Sequence, residues 1–117
     1  MVPLIDLCQG ILARHDIAPR NVVGHSDVAP VRKQDPGERF DWRRMAEAGI
    51  GLWPHLDGSA AAVPEKEATR ALHQIGYDIS DLNAAIAAFQ RHYRPRLIDG
   101  VADDETRQCI AAVLNLI

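Results

Sequence analysis

One short extended run, Asn21 to Gly24 (NVVG), constrains this chain more than any other feature. Two adjacent valines between a turn and a glycine read as a strand, and a strand so short and apolar normally lies inside a sheet. No other stretch of the 117 residues offers itself as a partner. A lone strand leaves its backbone donors and acceptors without neighbours, so its partner strands are expected outside these 117 residues.

Helical spacing is easy to find. Leu4, Leu7, Cys8, Ile11 and Leu12 recur with that period, and Pro3 suits a first turn, which predicts an amphipathic helix over about 3–15. Phe40-Asp41-Trp42 opens a short helix to about Ala48, with Asp41 as N-cap and Gly49 as terminator. Residues 55–63 are small, polar and without period, and read as a linker. Glu65–Ile75 forms the next helix, closed by Gly76. Ser80 or Asp81 caps another to about Arg94, with Leu82, Ala85, Ile86 and Phe89 inward. Asp103 caps a last helix, Asp104 to Asn115, with Ile110, Val113 and Leu114 inward. The expected organisation is thus an N-terminal segment 1–54, a linker 55–63 and a three-helix unit 64–117. Asp99-Gly100 fits a tight turn between the last two helices. Cys8 and Cys109 fall within helical apolar patterns and are expected as buried thiols.

Charge removes several classes of function. Thirteen basic residues face sixteen acidic ones, a net charge of −3, so nothing favours a nucleic-acid partner. No apolar run reaches the ~18–20 residues of a membrane span. The start of the chain has no early Lys or Arg before its apolar part and is no usual signal peptide.

Chemistry concentrates in GHSDVAPVRKQDPG, residues 24–37, whose prolines and glycines predict a loop. His25 and Asp35 are donors of the kind zinc accepts, and Lys33 could stabilise charge developing on a carbonyl oxygen. Spacing alone leaves open a surface histidine and a turn-capping aspartate.

This stretch, followed by FDWRRMAEAGIGLWP, resembles the closing segment of zinc-dependent N-acetylmuramoyl-L-alanine amidases of the amidase-2 type, across about residues 4–54. Those enzymes cut the amide between muramic acid and the first L-alanine of the stem peptide. The resemblance implies His25 and Asp35 as ligands of Zn2+ and Lys33 as the electrophilic side chain near the scissile carbonyl. It implies that Asp27, Arg32 and Pro36 shape the loop. Val31 stands where the family more often has glycine, so a re-routed loop is expected there. The family's first histidine ligand and a proton-handling glutamate come from strands upstream of the second histidine. Here His15 is the only histidine before His25, and no glutamate precedes Glu38. The fold class expected is therefore mainly α: a C-terminal remnant of an α/β amidase domain plus a small three-helix bundle. An upstream amidase segment would complete the site, and residues 1–54 alone would be loosely ordered.

LHQIGYDI, LNAAIAAFQRHYRPRLIDGVADDETRQCI resembles the three-helix peptidoglycan-binding module appended to bacterial cell-wall hydrolases. By that resemblance the partner is peptidoglycan or a muropeptide, with Gln90, Arg91 and His92 as candidate contacts to the stem peptide. The location implied is the periplasm or cell envelope. The alternative function is a non-catalytic wall-binding module carrying an amidase remnant.

Overall fold

Helices account for the regular structure of the computed structural model, which describes residues 2–54, 56 and 61–117. Helix α1 spans Val2–Arg14, a 3-10 turn follows at Pro19–Asn21, and α2 (His25–Val28) is a single turn. Helix α3 spans Trp42–Glu47, and a 3-10 turn at Glu65–Glu67 leads into α4 (Ala68–Ile75). Helices α5 (Leu82–Tyr93) and α6 (Asp104–Leu114) complete the chain. No strand occurs among the described residues. Val22 and Gly24 do have extended backbone, with φ −92° and −95°, so the expected strand is an extended segment without a ladder.

The helix boundaries follow from local chemistry. Asp41, Asp81 and Asp103 each accept a hydrogen bond from the backbone N–H three residues on, at Arg44, Ala84 and Thr106, which satisfies donors left open by the first turn. Gly76 ends α4 at φ 125°, a value that L side chains rarely adopt. The turn after α5 uses Gly100 at φ 70°, and a Cβ there would stand 3.1 Å from the Asn83 carbonyl oxygen.

Helices α4, α5 and α6 enclose one core of Leu72, Tyr77, Ala85, Ile86, Phe89, Ile110 and Val113. Leu82, expected inward, is exposed, and Leu114 only half-buried, because both sit at helix ends where the shared face runs out. Cys109 is buried, and burial pushes its thiol up to about 11. Cys8 is only half-buried, because α1 as a whole buries no residue.

Contacts cross the expected boundary between 1–54 and 64–117. The Trp42 ring of α3 stacks on His92 of α5, with centroids 3.9 Å apart. The Arg20 guanidinium donates to the Gln74 carbonyl at 3.0 Å, and Ile50 and Met45 are buried beside them in the N-terminal half. The N-terminal segment is thus seated on α4 and α5, beyond what local patterning foretold. His55 and residues 57–60, most of the expected linker, lie outside the described residues.

Candidate active site

His25 opens α2, directly after the extended Val22–Gly24 segment, and Asp35 lies at the far end of the loop that follows. The loop returns on itself because the Ser26 N–H donates to the Asp35 carbonyl at 2.9 Å. Turn hydrogen bonds from the Arg32 and Lys33 N–H groups to the Ala29 carbonyl, 3.1 and 2.9 Å, reverse its direction. Gly24 is packed against Pro36, and a Cβ on it would meet the Pro36 Cδ at 2.3 Å. Only glycine allows that approach.

As a result, His25 Nδ1 and Asp35 Oδ2 are 2.7 Å apart, ten residues distant in sequence. Both side chains are largely exposed, 73% and 63%, so the pair faces outward, at the edge of a cavity of about 450 Å3 that also touches Leu4, Cys8, Trp42 and Met45. The hydrogen bond with His25 holds the Asp35 carboxyl below its ordinary value, and the Lys33 ammonium adds a smaller pull in the same direction. Lys33, two residues before Asp35 in the same loop, is exposed. Val31 is not at positive φ, nor is any other non-glycine residue described, so the loop accommodates the valine without left-handed backbone.

The fit to zinc can be judged from this donor set. An imidazole nitrogen and a carboxylate oxygen, both donor types that zinc accepts, meet here in a hydrogen bond to each other. Among the described residues no third His, Cys, Asp or Glu joins them. Two donors are one fewer than the three protein ligands of an open zinc site, so the described residues form no metal site by themselves.

Directly beneath α2 lies a buried polar cluster. Asp27, 6% exposed, uses both carboxylate oxygens. Its Oδ1 accepts from the Tyr77 hydroxyl. Its Oδ2 accepts from the Gly24 N–H at 3.0 Å and from His92 Nδ1 at 2.7 Å. Burial, with Asp27 beside it, pushes the Tyr77 phenol well above its ordinary value, so the hydroxyl stays a donor. The Arg91 guanidinium adds a bond to the Ser26 hydroxyl at 3.3 Å.

Of the α5 residues expected to contact a stem peptide, Gln90 and His92 are buried and Arg91 is half-buried. Gln90 is wholly buried; its Nε2 donates to the Asp99 carboxylate, the Val101 carbonyl and the Thr106 hydroxyl, and its Oε1 accepts from the Asp99 and Gly100 N–H groups. His92 is buried on Asp27, and Arg91 reaches Ser26. A polar, charged tripeptide late in a helix looks solvent-facing, but these three side chains have partners on the loop and on α2. Asp27, Tyr77 and His92 have no spacing that would link them in sequence; the only local hint is an aspartate two residues after the ligand-type histidine.

Comparison with known proteins shows what the chain is similar to. Over this length the chain is homologous to N-acetylmuramoyl-L-alanine amidases of the AmiD and AmpD type. The relative AmiD of Escherichia coli is 41% identical over 127 aligned positions, which take in 96% of this chain and 46% of AmiD. The 1,6-anhydro-N-acetylmuramyl-L-alanine amidase AmpD of Enterobacter cloacae is 46% identical over 42 residues, 36% of this chain and 22% of AmpD. Among solved structures, E. coli AmiD in complex with anhydro-N-acetylmuramic acid-L-Ala-D-gamma-Glu-L-Lys superposes with a TM-score of 0.81 at 39% identity, over 97% of this chain and 50% of that one. AmpDH3 of Pseudomonas aeruginosa, in complex with anhydromuramic pentapeptide, gives a TM-score of 0.85 at 34% identity, over 97% and 51%. The chain thus spans about half the length of AmiD and AmpDH3, and its match to AmpD covers about a fifth of that protein. No protein-family model matches it.

Proposed function

We propose that this chain carries the C-terminal part of a zinc-dependent amidase that hydrolyses the bond between N-acetylmuramic acid and L-alanine. The observation that carries the reading is the His25–Asp35 pair, 2.7 Å apart in a chain similar along its whole length to half of such enzymes. His25 and Asp35 would be two of the three protein ligands. Zinc held there would supply a water of lowered pKa and polarise the scissile carbonyl. Lys33, in the same loop, would stabilise negative charge developing on that carbonyl oxygen. The third ligand and the proton-handling carboxylate belong to the half of the amidase that this chain does not span. Peptidoglycan or its anhydromuramyl-peptide fragments are the substrate class, the bacterial cell envelope the place of action, and α4–α6 a helical unit of peptidoglycan-binding type that also buttresses the site.

A chimera tests this: residues 2–117 replace the matching half of E. coli AmiD. It is expected to release stem peptide from an anhydromuramyl-peptide, and to lose that activity with a chelator or with His25→Ala or Asp35→Ala. A folded chimera whose turnover is untouched by both substitutions overturns the assignment. The 117-residue chain alone is expected to be inactive.

A further inference from the structure

We infer that Tyr77 and His92, on the C-terminal helical unit, are positioning residues for the His25–Asp35 pair, acting on it through Asp27. The inference rests on the reading of that pair as metal ligands, and it concerns what holds the pair in place.

The geometry runs in one continuous chain. His92 has a single polar contact, Asp27, because its Nε2 is buried with no partner among the described residues. Its ring is fixed on both faces, by Trp42 at 3.9 Å and by Tyr93 at 3.9 Å, so its Nδ1 can point only at that carboxylate. Tyr77, just after α4, fills the other carboxylate oxygen. Asp27 is two residues from His25 and also accepts from the Gly24 N–H at 3.0 Å, fixing the backbone on both sides of His25. The next residue, Ser26, holds the Asp35 carbonyl at 2.9 Å.

Two distant side chains therefore set where α2 sits, and α2 sets where both ligand-type side chains meet. A one-turn helix has little stability of its own, since four residues make too few bonds to offset nucleation. Its order is borrowed from the α4–α6 core, and the donors on Asp27 are the connection. Local opening governs such a segment, separately from global unfolding.

Amide hydrogen exchange on the metal-free 117-residue chain tests this without any activity assay. Tyr77→Phe removes one hydroxyl and keeps the ring. It is expected to speed exchange at Ser26, Val28, Ala29 and Lys33 about tenfold, the scale of one lost charge-assisted bond, and to leave Phe89 and Ile110 within about threefold. His92→Leu is expected to do the same, and His92→Gln, whose amide can still donate to Asp27, to restore most of the protection. Equal acceleration in α2 and in the core, or none in α2, overturns the inference; so does equivalence of the Leu and Gln variants. If His92→Leu fails to fold, Tyr77→Phe carries the test alone. A folded chimera whose turnover ignores His25→Ala and Asp35→Ala, with intact exchange differences, would instead refute the metal-ligand reading and leave the positioning link standing.

Discussion

Single atoms decide the geometry of the ligand loop. Gly24 is there because Pro36 occupies the space a side chain would need, 2.3 Å from the built Cβ position. Gly24→Ala is expected to cost about 1–3 kcal/mol, as overpacking does in a close contact, and to separate His25 from Asp35; denaturant unfolding and the loss of nuclear Overhauser contacts between the two side chains check it. A second residue-scale device is Asp103. Burial would raise its pKa, but the Thr106 N–H and hydroxyl and the Arg94 guanidinium more than offset this and hold it at about 2, below the ordinary 3.8. A depressed carboxylate contributes stability that is present above pH 3.8 and lost as pH falls through about 2. Asp103→Asn, still able to cap α6, is expected to be less stable than the natural protein at pH 7 and to match it near pH 2. Urea midpoints across that range measure the convergence.

At the scale of elements, α5 and α1 are opposites. Helix α5 is buried on its apolar side and hydrogen-bonded on its polar side, with Gln90 closing five bonds to the turn at 99–101 and to Thr106. Gln90→Met is expected to cost at least about 1–3 kcal/mol, since it strands two N–H groups without an acceptor; thermal unfolding reads it directly. Helix α1 buries nothing, and Leu7 is 59% exposed. Leu7→Ser is expected to move the unfolding free energy of this chain by no more than about 0.5 kcal/mol. The apolar face of α1, with Val22 and Val23 beside it, stays uncovered among the described residues, so its periodicity is legible although its burial is slight.

For the whole molecule, the N-terminal segment and the three-helix core are joined by buried polar bonds and by aromatic contacts. Asp27 with Tyr77 and His92, and Trp42 stacked on His92, span the two. Removing residues 1–63 would expose those rings and leave Tyr77 and His92 without their acceptor. The fragment 64–117 is therefore expected to unfold at lower denaturant than the full chain, the reverse of an independent module on a tether; equal midpoints would refute the coupling.

The amino-acid sequence by itself determined the α-helices other than α2, which falls in the stretch expected as a loop. Caps such as Asp41, Asp81 and Asp103 act on the next three residues, and apolar period is a local record of which face is to be buried, so both can be read off the chain. The loop residues His25, Lys33 and Asp35 were singled out by resemblance to a family, since their spacing alone left a surface histidine and a turn-capping aspartate open. What only the tertiary structure decided is the company each side chain keeps. Gln90, Arg91 and His92 look like a solvent-facing run, yet they are engaged by the 99–101 turn, by Ser26 and by Asp27, the last two some sixty-five residues away. A buried polar bond requires only that donor and acceptor meet, whatever their separation along the chain, so nothing periodic announces it.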